Sequence, residues 1–144
     1  MNSYINKYNY DASKCSNIFE AVCLTFYWTE GSKYPKIVEV TNTDYKMLEM
    51  FSLFLLNVCN VEPSKLKGRL QIHEGNSIEK AKKFWSLHCN VNEKDIIISV
   101  RKAATSPKKN IHPYGIFSVR YNSVGLKSFL DSKLAELKNL SFNV

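Results

Sequence analysis

The stretch from Phe19 to Lys33, Phe-Glu-Ala-Val-Cys-Leu-Thr-Phe-Tyr-Trp-Thr-Glu-Gly-Ser-Lys, constrains the fold more than any other part of the chain. It predicts a buried helix from about Ser16 to Glu30 that stops at Gly31. Ala21, Thr25 and Thr29 recur every four residues and so line one face. That face carries only small side chains, which lets another helix backbone come close. Val22, Cys23, Phe26, Tyr27 and Trp28 cover most of the remaining surface. Gly31 suits the left-handed turn that closes many helices. Glu30 is misplaced: the C-terminal end of a helix carries partial negative charge, and a carboxylate there costs up to about 1 kcal/mol.

The 144 residues fit one domain with a real core. Residues 1–15 are polar and rich in Tyr and Asn and read as a poorly ordered lead; residues 16–144 read as the domain. No apolar run approaches the roughly 18 residues of a membrane span, and residues 1–14 hold no apolar signal segment. The expectation is a cytoplasmic protein with no membrane partner. Cys15, Cys23, Cys59 and Cys89 are scattered, form no C-x-x-C pair, and read as free thiols.

The net charge of +7 is unevenly placed. From Ile96 to Leu130 there is no Asp or Glu, while Arg101, Lys102, Lys108, Lys109, Arg120 and Lys127 all fall there. One reading is a solvated surface that aids solubility. The sharper one is a polyanion footprint, most often nucleic acid. No basic amphipathic helix carries these residues, which argues against a membrane surface.

Further along, Lys36 to Thr41 predicts a strand rich in β-branched residues. A helix from Tyr45 to Cys59, capped by Asp44 or Thr43, points Met47, Leu48, Phe51, Phe54, Leu55 and Val58 inward. Leu66 to His73 alternates, with Arg69, Gln71 and His73 on one face. Ser77 caps an amphipathic helix over Glu79 to Cys89. Asp95 to Lys102 predicts a strand with Ser99 and Arg101 on one face. Tyr114 to Tyr121 predicts another, with Ser118 and Arg120 on one face. The basic loop between them is longer than the usual two to five residues, and the two strands read as a long antiparallel hairpin. Ser123 caps a last helix, Val124 to Leu140, with Leu126, Phe129, Leu130, Leu134 and Leu137 inward. Helices mixed with strands in this order predict an α+β fold.

The segment Cys23-Leu-Thr-Phe-Tyr-Trp-Thr-Glu-Gly31 resembles the nine-residue signature of LAGLIDADG homing endonucleases. Glu30 falls on the signature's catalytic acid, Gly31 on its final glycine, and Thr25 and Thr29 on its two inner small positions. Trp28 departs, because the signature usually has Asp there. The run Tyr27 to Lys33 is similar to a prokaryotic branch that reads Tyr-Trp-Gly-Glu-Gly-Ser-Lys. Val38 to Asp44, Leu70 to His73, Phe84-Trp85, Tyr114-Gly115 and Val119 to Tyr121 match the same pattern, so the likeness spans roughly residues 16–140.

The resemblance implies a core domain with an antiparallel, saddle-shaped sheet. It also implies a homodimer in which Ala21, Thr25 and Thr29 of two chains pack at a two-fold interface. Two Glu30 carboxylates would then meet near the axis and hold Mg²⁺ ions that promote phosphodiester hydrolysis. The partner would be double-stranded DNA. Arg69, Gln71, His73, Arg101 and Arg120 are candidates for the DNA-facing sheet surface, since Arg and Gln make bidentate contacts to base edges. Lys108, Lys109 and His112 are candidates for phosphate contacts. Lys33, Lys102 and Arg120 are candidates for stabilising charge beside the metal, and the sequence does not choose among them. With no G-x-x-x-x-G-K loop, no nucleotide cofactor is expected. Two other functions fit the same residues: a DNA- or RNA-binding regulator or splicing helper without cleavage, and an interaction domain with a basic face.

Overall fold

The computed structural model describes residues 17–102 and 112–140. The expected lead at 1–15 and the candidate phosphate contacts Lys108 and Lys109 lie outside the described residues. The chain runs α1 (Asn17–Glu30), β1 (Ile37–Asn42), α2 (Tyr45–Leu53), β2 (Lys67–His73), α3 (Ile78–Cys89), β3 (Ile96–Arg101), β4 (Ile116–Asn122) and α4 (Val124–Lys138). The fold is α+β, with four α-helices and one four-stranded sheet among the described residues.

Local chemistry starts the helices where expected. Asp44 accepts hydrogen bonds from the backbone N–H groups of Lys46 (3.0 Å) and Met47 (3.4 Å) ahead of α2. Ser77 accepts from Lys80 N (3.3 Å) ahead of α3, and Ser123 from Leu126 N (3.0 Å) ahead of α4. Each satisfies an N–H that the helix itself leaves unpaired. α2 does not stay α-helical to Cys59. From Phe54 to Val58 it widens into a π turn, closed by Cys59 N to Phe54 O at 3.0 Å. The wider turn buries Phe54, Leu55 and Val58 together.

The sheet order is β1-β4-β2-β3. β4 is antiparallel to both β1 and β2, whereas β3 is parallel to β2. The expected antiparallel sheet is therefore mixed, and the expected β3–β4 hairpin does not form. β2, α3 and β3 make a crossover unit, in which a helix returns the chain to run parallel beside its first strand. This places β2 between β3 and β4. A tight turn can join only neighbouring strands, so the long connection after β3 is what clears β2.

Along each strand one set of side chains enters the core. Val38, Val40, Leu70, Ile72, Ile96, Phe117, Val119 and Tyr121 pack with Cys23, Leu24 and Tyr27 of α1, Leu48 and Phe51 of α2, Trp85 of α3, and Phe129 and Leu130 of α4. Among the described residues no helix packs on the other face of the sheet. Phe117 stacks on Trp85 with ring centroids 4.9 Å apart, over Gly68 of β2. A methyl group on Gly68 would lie 2.3 Å from the Phe117 ring. Gly68→Ala is accordingly expected to cost about 1–3 kcal/mol, as overpacking does in a filled core. Chemical denaturation with both Trp85 fluorescence and far-UV circular dichroism measures this.

Candidate nucleic-acid interface and helix terminus

The uncovered sheet face is built by strand register. Glu39 of β1, Arg120 of β4 and Lys67 of β2 lie side by side on one rung. The next rung holds Thr41, Ser118, Arg69 and Ile97, and the one after it Ile116, Gln71 and Ser99. His73 pairs with Arg101 at the far end. The candidate residues Arg69, Gln71, His73, Arg101 and Arg120, from three different strands, are thus brought onto one surface. His112 is exposed just ahead of β4. Gly115, with φ of +76°, turns the chain into β4 and fits against the Gln71 carbonyl, where a Cβ would approach within 2.3 Å.

This face is less basic than its cations suggest. The Glu39 carboxylate lies 3.4 Å from Arg120 Nε and 4.0 Å from Arg69 Nη1. Glu39 Oε2 and Arg120 Nε are both buried, and neither is aligned for a hydrogen bond, so they are paired by charge alone. Asp95, at the start of β3, accepts a 2.9 Å hydrogen bond from Lys67 Nζ. That bond holds the Asp95 carboxyl below the usual carboxylate range. Lys67, Arg69, Arg101 and Arg120 are therefore opposed by two carboxylates, leaving two net charges. Among the described residues Arg101 is the cation of this face with no carboxylate in ion-pair range.

The second feature is the end of α1. Cys23, Leu24 and Tyr27 are buried, while Thr25, Thr29 and Glu30 face solvent and Ala21 is half-buried. The expected buried helix is therefore covered on one side only. The Thr25 hydroxyl donates to Ala21 O at 2.7 Å and the Thr29 hydroxyl to Thr25 O at 2.9 Å. With their hydroxyls bonded back to the helix, both threonines are free to present methyl groups outward. Ile18 (78% exposed) and Trp28 (43%) extend the open surface of this helix.

Gly31 is needed for a different reason from the expected left-handed turn. Its φ is not in that region. Instead it forms a bridge with Val40 on the free edge of β1, and a Cβ would lie 2.1 Å from Tyr27 O. Ser32 N continues the contact to Glu39 O at 2.8 Å. The bridge sets Glu30 level with Thr41, a residue of the open sheet face. Lys33 Nζ donates to Trp28 O at 3.3 Å, so it caps the helix end. No basic side chain among the described residues pairs with Glu30.

Lys127, counted above with the basic residues of the acid-free stretch, is buried and so does not belong to a polyanion-binding surface. Lys127 of α4 is 7% exposed; its ammonium donates to Ser32 O at 2.6 Å and lies 4.7 Å from the centre of the Tyr27 ring. Burial pulls its pKa down, against the opposing pull of Asp131. Asp131 in turn accepts a short hydrogen bond from the Tyr27 hydroxyl. The signal was present: Lys127, Leu130 and Leu134 share a helical face, so a lysine there is set among core residues. Of the candidate cations beside Glu30, Arg120 lies on β4, next to β1. Lys102 follows β3, the opposite edge of the sheet.

Among the described residues no three His, Cys, Asp or Glu side chains cluster to hold a metal. A single chain offers Glu30 and the adjacent helix carbonyls, which is half of a site at most.

Burial, and then the Asp131 contact, raise the Tyr27 phenol above its ordinary value. A group whose pKa is raised on folding stabilises fully below its unfolded pKa, near 10. That contribution is lost as pH rises above it, because the unfolded chain ionises first. Thermal melts from pH 8 to 11 should show the wild type losing more stability than Tyr27→Phe above pH 10. Parallel curves would exclude the linkage.

No protein-family model, curated protein or solved structure matches the chain, so its functional reading rests on this geometry and on the resemblance noted for residues 23–31.

Proposed function

We propose that the chain is a divalent-metal-dependent DNA endonuclease of the LAGLIDADG type, acting as a homodimer. The observation that carries this reading is a juxtaposition. A sheet face on which no described helix packs gathers Arg69, Gln71, His73, Arg101 and Arg120, and an exposed carboxylate, Glu30, ends a helix anchored to the edge of that same sheet.

Duplex DNA would lie along the open face. Gln71 and Arg101 are placed to contact base edges, since bidentate Arg–guanine and Gln–adenine pairs are the usual readers in the major groove. His73 and Ser99 flank them. His112 and the basic residues that follow β3 would meet phosphates, which supply most of the affinity and make it fall with salt.

The residues at the end of α1 fit a divalent cation in one respect: a carboxylate and the negative end of a helix both favour positive charge. Glu30 of each chain would hold such an ion, completed by the second copy and by the DNA. When bound, Mg²⁺ supplies a more acidic water and stabilises the leaving oxygen of a phosphodiester. The chain's own part is to fix the carboxylate. Gly31 against Val40, Lys127 on the Ser32 carbonyl and Lys33 on the Trp28 carbonyl hold the helix end in place. The stripe of half-buried Ala21 and exposed Thr25 and Thr29 would bring the second copy close.

A second reading keeps the DNA and drops the cleavage. It is favoured by the lone carboxylate: without the second copy in register, the chain has no metal cluster among its described residues. The two readings part in one assay. Wild-type protein should nick or linearise supercoiled plasmid in Mg²⁺. Glu30→Gln should lower cleavage by at least about 100-fold while duplex affinity stays within twofold. Binding without cleavage in Mg²⁺ or Mn²⁺ selects the non-catalytic reading. Thr25→Leu should convert the dimer to monomer in sedimentation at micromolar concentration; a dimer of unchanged affinity would remove the α1 stripe from the interface.

A further inference from the structure

We propose that Glu39 and Asp95 are built-in counter-anions of the nucleic-acid face. They keep Arg69, Arg120 and Lys67 from non-specific phosphate and so set the selectivity of that face. This rests on the nucleic-acid reading above and deepens it.

The argument begins with an anomaly. A surface meant only to grip a polyanion gains nothing from carboxylates, yet two sit on or beside this one, each engaged with its cations. Glu39 is close to two arginines at once. Its side chain is 15% exposed and that of Arg120 is 22% exposed. The pair is too sheltered to behave as a freely solvated surface bridge. It is also poorly made: Glu39 Oε2 and Arg120 Nε are within 3.4 Å, both buried, and neither forms a hydrogen bond. A pair kept for stability alone would gain by aligning the guanidinium with the carboxylate. Here the charges neutralise one another while Glu39 Oε2 and Arg120 Nε have no hydrogen-bond partner among the described residues.

Duplex DNA settling on this face would cover the rung Glu39, Arg120, Lys67. A phosphate brought there would meet the two arginines and also Glu39, a like charge, in a site that excludes water. It would have to displace a carboxylate already in place. A base edge that presents an amino group, cytosine N4 or adenine N6, meets no such penalty. It can donate to the carboxylate while Arg69 or Arg120 turns to a neighbouring acceptor. Glu39 thereby disfavours backbone contact and favours a donor-bearing base at its level. Asp95 acts on Lys67 at the end of the same rung, beside a hollow of about 380 Å³ lined by Lys67, Lys94, Asp95, Ile97, Arg120 and Asn122. Arg101, which no carboxylate among the described residues restrains, is left as the anchor that any sequence can use.

The test uses full-length wild type, Glu39→Gln and Asp95→Asn, each with a random-sequence 30-base-pair duplex, over a series of salt concentrations. Each freed cation that takes a phosphate steepens the plot of log K against log salt by about 0.9, which is roughly tenfold tighter binding near 0.1 M salt. Both variants should show that change, and selection from a randomised duplex pool should return a weaker consensus for Glu39→Gln than for wild type. A structural role would not move the salt slope, and thermal melting of each variant reports that role separately. If Glu39→Gln does not fold, Asp95→Asn carries the test through Lys67. Wild type that binds with a clear salt slope, alongside variants of unchanged slope and affinity, overturns the counter-anion role and leaves the nucleic-acid reading standing. Absence of salt-dependent binding in all three proteins overturns both.

Discussion

The functional end of this molecule depends on how the chain leaves α1 at Gly31. Gly31 lies against Val40 of β1, and its missing side chain would occupy the position of the Tyr27 carbonyl. Through this contact the last turn of α1 becomes an extension of the sheet edge. Glu30 is therefore held beside the open face, and the exposed stripe of α1 is held at a fixed angle to it. Lys127 and Lys33 secure the same turn from either side, one on the Ser32 carbonyl and one on the Trp28 carbonyl. A buried lysine is costly to desolvate, and Asp131 and the Tyr27 ring offset part of that cost. The chain thus spends core space on fixing a turn that carries an acid.

The other constraint is that the sheet buries only one face. The described helices share a single core with Val40, Leu70, Phe117 and Tyr121, and the alternate residues lie on the opposite face, from buried Ser118 through half-buried Arg120 to exposed Arg69 and Arg101. Alternation makes such a face polar. It does not by itself make the face basic. That property comes from Lys67, Arg69, Arg101 and Arg120 arriving from three strands, and it is moderated by Glu39 and Asp95. Charge counted along the chain overstated the basicity of the surface. Asp95 sits one residue before the acid-free stretch and Glu39 more than fifty residues ahead of it, yet the sheet sets both among its cations.

What the sequence made legible was local. Asp44, Ser77 and Ser123 announce helix starts because a short polar side chain can satisfy a free N–H. Period-two alternation assigned Arg69, Gln71, Arg101 and Arg120 to their common side before any partner was known. The partners were not legible. Alternation says which way a side chain points, not which strand lies next to it, so β3 and β4 read as a hairpin when β2 runs between them. The length of the loop between them was the clue, because it is longer than neighbouring strands require. The need for Gly31 was seen but its cause was not: how closely the chain passes the Tyr27 carbonyl as it leaves α1 leaves no mark in a single sequence. The π turn at Phe54 was invisible for a similar reason, since a wider turn keeps nearly the same apolar spacing.

The central claim is that the sheet face carrying Arg69, Gln71 and Arg101 is where nucleic acid binds. Amide chemical shifts recorded while a short random-sequence duplex is added address it residue by residue. The account predicts that the shifts concentrate at Arg69, Gln71, Ser99, Arg101 and Ser118, with the α1 terminus at Glu30 next. Shifts confined to the outward surfaces of α2 and α3, or none at all at saturating duplex, would contradict it.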